Sequence, residues 1–528
     1  MPLTVVYGWT NWLESATLRP TMSMNPDKPR EILKNMTGAD VKRLSYSSWV
    51  ILGVLCITTP LWASGFFVAR FGGEHGHPTT DSLTAMYYNP AGLALGKGTR
   101  LYLDGNLAYR IFSYQRAREA VTNPLAAGVF ETPCARGTCE AGTPEADIAA
   151  NAGEGTLNNF LASPFIGVAS DFGLKNASFG LSLYAPFGGS SIYDKVDQVG
   201  SHPGSVDGAQ RWWAIEGTIK SVYITAAAAY RIPQYNLSFG IGLNIVKNEV
   251  FTSRAKTFSN DDDLITRDPY GSRYQVSEGQ YLKEGRAIID VESTEVALGA
   301  GAIWQPKKNV WLGLSYQSSP GFGENKLEGK ARLILGAEPE QNPNAVLYQH
   351  LPDVWQFGGR WRPQSDVELR LFGNYVRWSV FKDQCALNVD TGSDERSNCD
   401  TGPLFVAPRN WTDGWSARTG ASYWFKPSIE GVFGLGYDTN SVPDATLEPA
   451  LVDMDKATVS LGARFVLMDS ALAFATTFTQ VIYFEREIDA ASQEPVLVKE
   501  SGARLGPNAA GTFEQAVSVL NLNVEYSF

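Results

Sequence analysis

The 528-residue sequence predicts an all-β fold, a transmembrane, antiparallel, up-and-down β-barrel of about 14 strands with its lumen plugged by the segment ahead of the first strand. Three observations predict it. Period-two alternation recurs in segments separated by tight turns on one side and long polar loops on the other. A secretory leader precedes the pattern. The last segment is an amphipathic strand ending on Phe528.

Composition fits one large domain, because no linker, low-complexity block or composition shift divides the chain. Aromatic content is 12%, with 51 Gly and 14 Trp, yet mean hydropathy is −0.16, too polar for a helical membrane protein. A barrel reconciles the two, since lipid-facing and lumen-facing residues alternate and aromatic residues gather at both interfaces. The net charge of −11 and the lack of a long Lys/Arg run argue against a nucleic-acid partner.

Lys42 and Arg43 precede the apolar stretch Trp49 to Thr59 and the small residues Ala63, Ser64 and Gly65. This reads as a signal peptide cut after Ala63, although Leu61 is larger than the residue usual at the third position before a cut. A single transmembrane anchor is the other reading, but the apolar part is roughly a dozen residues against the roughly 20 a spanning helix needs. Residues 1 to 63 are therefore extension and leader, with Met36 placed where a start would give a leader of ordinary length. The hatch is expected over 64–98 and the barrel over 99–528. Cys56 leaves with the leader. Cys134 with Cys139, and Cys385 with Cys399, form two local pairs in loop-like segments, consistent with disulfides in an oxidising compartment. Zinc is the alternative for these pairs, but no His lies near either in sequence.

Strand pairs are read from short links. Val222-Tyr223-Ile224-Thr225 runs to Pro233, and after Gln234-Tyr235-Asn236 the chain returns through Leu237 to Asn244. Ala302 to Pro306 and Val310 to Tyr316 repeat this around Lys307-Lys308-Asn309. Further strands are expected near 351–362, 367–381, 414–425, 429–438, 456–467, 471–485 and 514–528, with long loops at 256–292 and 382–413. Fifteen segments result. Merging 310–318 with 329–335, as one strand interrupted near Gly321-Phe322-Gly323, gives the even number that bacterial barrels carry. The strand Ser178 to Tyr184 runs into Ala185-Pro186-Phe187-Gly188-Gly189. Pro cannot donate to a ladder and Gly weakens it, so the strand either kinks here or ends at Ala185.

These residues resemble the FadL/TodX outer-membrane transporters of long-chain fatty acids and aromatic hydrocarbons. Ser64-Gly65-Phe66 looks like the family's small-Gly-Phe mature N-terminus, and Tyr88-Asn89-Pro90-Ala91-Gly92 like its hatch motif. Leu351-Pro352-Asp353-Val354-Trp355, Tyr375-Val376-Arg377-Trp378-Ser379 and Val442-Pro443 with Asp453-Met454-Asp455-Lys456 also match. The resemblance implies a passive importer of hydrophobic small molecules, foremost long-chain fatty acids, in the outer membrane of a Gram-negative bacterium. Ligand would be captured at the loops, held in a lumen pocket near Phe66, and released sideways at the kink of Pro186, Gly188 and Gly189. Asn89, Pro90 and Ala91 would form the hatch turn, for which an ordinary surface turn is the plainer reading. Asp453 and Asp455 either anchor the hatch or end a strand.

A fatty acid needs apolar walls and a cation for its carboxylate, because an unpaired buried charge is costly. Arg254 and Lys382 are the candidate cations, each also readable as a solvated charge at the base of a loop. No cofactor or metal is implied. Outer-membrane lipids, lipopolysaccharide and, through the C-terminal strand, the barrel-assembly machinery are the expected partners of a monomer. The rival readings are an importer of aromatic hydrocarbons, a general porin, a receptor or adhesin using the loops, and a lipid hydrolase. The hydrolase needs a Ser/His pair, yet His75, His77, His202 and His350 are all the histidines, and the first two lie in the hatch segment.

Overall fold

The wall is built from strands with a polar inner face and an apolar outer face. In a computed structural model, residues 70–122, 145–200, 202–256, 275–277, 280–281, 284–335, 339–391, 394–400, 403–493 and 507–528 are described. The barrel strands are β1 (Thr99–Arg116), β2 (Gly153–Ser170), β3 (Ala177–Ile192), β4 (Glu216–Ile232), β5 (Leu237–Lys256), β6 (Gly285–Lys307) and β7 (Val310–Gln317). They continue as β8 (Val354–Gln364), β9 (Val367–Val376), β10 (Gly414–Lys426), β11 (Ile429–Asp438), β12 (Lys456–Leu467), β13 (Leu472–Tyr483) and β14 (Gly511–Ser527). Each pairs antiparallel with the next. β14 pairs back onto β1, with Leu101 opposite Tyr526 and Arg116 opposite Gly511, so the 14-strand barrel has no free edge.

β5 shows why the chain folds this way. Phe239, Ile241, Leu243 and Ile245 are exposed, while Ser238, Asn244 and Asn248 are buried towards the lumen. This inverts a soluble β protein and matches a wall that meets lipid outside and polar groups inside. Aromatic side chains edge the apolar band at both rims. Tyr316 with Trp355 and Tyr375 with Trp415 pair at one rim, at 4.7 and 4.5 Å. Tyr423 with Phe425 and Tyr526 with Phe528 do so at the other. The rim carrying the second set has the short turns. One of these, Pro233–Tyr235, closes on Asn236 at φ 50°, a left-handed conformation that Asn tolerates. The other rim carries the long connections, the asymmetry typical of transmembrane barrels.

The expected merger near Gly321 is present in substance. β6 pairs with β7 through 299–307 and, further along, with Asn325–Ile334 through 286–292, so one strand is interrupted across 318–324. Two loop boundaries differ from expectation. The connection after β5 ends before Gly285 rather than at 292, because Ala287, Ile289 and Val291 bury one face at period two. The segment 382–413 holds two short strands, Asp383–Asn388 and Phe405–Pro408, rather than loop alone. They join Asn325–Ile334 and Asn344–Gln349 in a sheet extending the wall outward. Their buried runs are only a few residues long, below the length at which periodicity is readable.

Candidate functional site

Residues 70–98, the segment expected to form the hatch, fold into short turns and helices packed against the inner face of the wall, with Phe71, Leu83, Ala85, Met86 and Leu93 fully buried or nearly so. Asn89 fixes the turn. Its Oδ1 accepts from the Ala91 N–H at 3.1 Å, capping the turn that Pro90 begins, and its Nδ2 donates to the carbonyls of Pro78 and of Ala302 on β6, at 2.9 and 3.0 Å. The Ser315 hydroxyl of β7 donates to the Tyr88 carbonyl at 2.5 Å, and the Gly72 N–H donates to Asp104 of β1 at 2.5 Å. Close approach explains one glycine. A Cβ at Gly240 would collide with the backbone of Pro90 and Ala91, so the wall lacks a side chain where the turn rests on it.

Charges in the hatch are satisfied by the wall and by each other. His75 Nε2 lies 3.1 Å from Glu430 Oε1. Arg70 pairs with Glu74 at 3.0 Å. Burial opposes ionisation of Glu74, but Arg70 and Arg370 more than offset it and hold its carboxyl below the ordinary value. Burial, reinforced by the positive charges of Arg370 and Arg360, pushes the His77 imidazole well below its ordinary value. His77 Nδ1 is 3.3 Å from the Thr79 N–H, from which it accepts. Among the described residues no cluster of His, Cys, Asp or Glu is placed to hold a metal.

Pro186, Gly188 and Gly189 lie where β3 parts from β2 while staying paired with β4. The ladder between β2 and β3 runs only from Phe179–Ser170 to Tyr184–Phe165, and the register of β3 on β4 slips between Tyr184 and Phe187. From Ala185 to Gly188 all side chains or Cα positions are buried, so the segment bends into the lumen. Beyond Tyr184, β2 meets β3 through isolated bonds. Ser163 Oγ donates to the Ala185 carbonyl and Asn159 Nδ2 to the Ser190 carbonyl, each at 2.9 Å. Below the bend, Tyr184 stacks between Phe165 at 5.3 Å and Tyr223 at 5.5 Å, and the hatch residues Phe71 and Tyr87 pack against this stack.

The bent segment walls a cavity of about 910 Å³, a volume that includes space continuous with solvent. Ile219, Val250, Phe251, Leu347 and Phe405 supply apolar surface, and three guanidiniums, those of Arg110, Arg254 and Arg409, supply charge. Arg254 lies over the Phe405 ring at 4.1 Å. Arg110 Nε donates to Gln515 at 2.7 Å, and Arg409 pairs with Glu448 at 2.7 Å and bonds to Gln384.

Of the two cations singled out from sequence, Arg254 is thus in the cavity wall and Lys382 is not. The Lys382 side chain is exposed, because Phe381 turns inward to pack on Trp378 and Trp411 and sends its neighbour outward. Its backbone is engaged on both sides, the N–H donating to the Val380 carbonyl and the carbonyl accepting from the N–H groups of Arg409 and Asn410. Arg110 was missed although the alternation of β1 marks it, with Tyr109 and Ile111 exposed on either side. Arg409 lies between strands, where no periodicity could place it. Among the described residues, Asp453 and Asp455 make no bond to the hatch. They order the connection between β11 and β12, Asp453 binding Lys456 at 2.7 Å and the Ser441 N–H, and Asp455 binding the Asn440 N–H. Cys385 and Cys399 are joined by a disulfide. Phe66, Cys134 and Cys139 lie outside the described residues.

Solved structures of 11–19% identity share this fold. The chain superposes on a Pseudomonas aeruginosa FadL homologue with a TM-score of 0.64 and 19% identity, covering 88% of this chain and 100% of that one. It superposes on the Ralstonia pickettii toluene transporter TbuX with a TM-score of 0.53 and 14% identity, covering 88% and 99%. For the Pseudomonas putida toluene transporter TodX the values are 0.54 and 13%, covering 89% and 99%. No curated protein sequence matches the chain. The family profile described as outer membrane protein transport protein (OMPP1/FadL/TodX) matches residues 54–528. With that match spanning most of its length, the chain belongs to the OMPP1/FadL/TodX family of outer-membrane transport proteins.

Proposed function

We propose that the protein takes up hydrophobic small molecules bearing an acidic head, with long-chain fatty acids foremost. It needs no energy source, and it releases them sideways between β2 and β3. The observation that carries this reading is the cavity of Arg110, Arg254 and Arg409 set in apolar walls directly against the bent segment of β3. A carboxylate leaving water needs charge-assisted donors and its tail needs apolar contact, and this cavity offers both. The wall beside it has no continuous ladder, so a ligand there faces lipid across a few side-chain bonds. A second reading, an aromatic hydrocarbon, draws on the ring stack of Phe165, Tyr184 and Tyr223 and on the toluene transporters among the similar structures. It makes no use of the three arginines as ligand contacts.

Binding of a fluorescent long-chain fatty acid to the detergent-purified barrel, with toluene and a sugar as competitors, tests the choice. Saturable binding displaced by unlabelled fatty acid and not by sugar is expected. Arg254→Ala should weaken it about tenfold or more, the value of a hydrogen bond to a charged group, while Lys382→Ala leaves it unchanged. Displacement by toluene alone would move the substrate to hydrocarbons.

A further inference from the structure

A second, smaller space of about 220 Å³, a volume that includes space continuous with solvent, lies where the hatch residue Tyr87 meets the bend residues Pro186 and Phe187, and is lined on the other sides by Tyr223 of β4, Gln317 of β7 and Gln356 of β8. The same bent segment walls both spaces, Pro186 and Phe187 below and Gly188 and Gly189 above. The two differ in chemistry. No Lys, Arg, His, Asp or Glu lines the smaller one among the described residues.

Two of its lining residues carry buried polar atoms that have no hydrogen-bond partner among the described residues, the hydroxyl of Tyr223 and the Nε2 of Gln317. Tyr223 is 1% exposed. Leaving a buried donor unmade costs roughly 1–3 kcal/mol, and both atoms are donors. Neighbouring groups in the lumen are satisfied in pairs, as Thr225 is by Tyr184 and Asn244.

From this juxtaposition we infer that Tyr223 and Gln317 form a subsite for a neutral oxygen acceptor, the carbonyl of a protonated carboxylic acid or of an ester, carried by a lipophile at the bend of β3. The inference rests on the reading that lipophiles pass this wall. It adds a selection step. The arginine cavity takes the charged head, and the subsite, having donors and no cation, takes the head only once neutral, because an ion there would lack a counter-charge. A bare hydrocarbon satisfies neither donor.

The test uses the full barrel in detergent with radiolabelled palmitic acid, methyl palmitate and hexadecane. Tyr223→Phe and Gln317→Leu should each weaken acid and ester by about three- to tenfold, the worth of a neutral hydrogen bond, and leave hexadecane unchanged. Arg254→Ala should weaken the acid alone. Because the hydroxyl is unpartnered without ligand, Tyr223→Phe should hold or raise the melting temperature, whereas a hidden structural bond would make it fall. Equal weakening of hexadecane and ester, a lowered melting temperature, or unaltered acid and ester binding in both variants would overturn the subsite and leave the proposed uptake standing. A wild-type barrel that binds none of the three probes would overturn both.

Discussion

Asn89→Ala should loosen the hatch without weakening the barrel. The side chain's three shorter bonds are one accepted from Ala91 and two donated to the carbonyls of Pro78 and Ala302, beside a longer one to the Leu314 carbonyl at 3.4 Å. At about 0.5–1.5 kcal/mol net for each, their loss lowers the free energy of hatch opening by about 1.5–4.5 kcal/mol. At about 1.4 kcal/mol per factor of ten, hatch amides that exchange through this opening should exchange roughly ten- to a thousandfold faster. The Gly92 N–H, which bonds to the Asn89 carbonyl, is a direct reporter. Hydrogen exchange read by mass spectrometry on peptides from 78–95, with β5 as internal reference, measures this. Asn89→Asp keeps the cap acceptor but turns a buried carboxylate oxygen on the carbonyls of Pro78 and Ala302, so it should accelerate exchange at least as much as Asn89→Ala. Unchanged exchange in the hatch, or equal acceleration in β5, would refute the assignment of Asn89 as the tie between hatch and wall.

Three further outcomes follow from the same geometry. Gly240→Ala should open the hatch, since overpacking against fixed backbone costs about 1–3 kcal/mol. Gly242→Ala, whose new Cβ would meet only the Thr225 methyl at 3.6 Å, should not, and sugar permeation in liposomes separates the two. Docked His77 stays neutral because burial and then Arg370 and Arg360 lower its pKa, with His75 and Arg70 adding to the effect. An undocked imidazole protonates below about pH 6.5. Docking is therefore unaffected above that pH and weakens as pH falls through it, so hatch exchange, corrected for intrinsic chemistry, should rise between pH 7 and 5. His77→Gln should flatten that rise, and equal rises in both proteins would exclude His77 as its source. Replacing Cys385 and Cys399 with Ser removes a crosslink spanning a separation of 14 residues, worth about 3 kcal/mol for a loop of about this size. The outer sheet should become protease-sensitive while the barrel melts as before.

The wall was legible because its signal is repeated and local. Phe239, Ile241, Leu243 and Ile245 alternate with Ser238, Gly240, Gly242 and Asn244, and a one-residue slip would turn every one of them to the wrong face. The bend in β3 was equally visible in Pro186, Gly188 and Gly189, since those residues weaken a ladder wherever they stand. The cavity cations were only half visible. Arg110 shares a face with the buried Phe112 and Tyr114 and was open to the same reading, but Arg409 reaches the cavity from an irregular segment tied by its N–H to the Lys382 carbonyl. Lys382 has the charge and the sequence position expected of a ligand partner. Only the packing of Phe381 on Trp411, a contact between distant parts of the chain, decides that it points away.

On the proposed route, the wall is a lower barrier than the hatch. Undocking the hatch breaks the Asn89, Ser315 and Asp104 bonds and exposes Phe71, Leu83, Met86 and Leu93. At about 1.5–3 kcal/mol for each such side chain, the apolar term alone comes to about 6–12 kcal/mol. Between β2 and β3, beyond Tyr184, no ladder remains to break, and the bonds of Ser163 and Asn159 are each worth about 0.5–1.5 kcal/mol. The ligand's own preference points the same way. A long acyl chain leaving through the hatch enters water at about 0.8 kcal/mol per methylene, roughly a dozen kcal/mol in all, whereas a chain leaving through the wall passes from apolar side chains to lipid. Both barriers therefore favour lateral exit for a lipophile. A polar solute, for which the methylene term vanishes and lipid is the costly phase, gains nothing from the opening at β3.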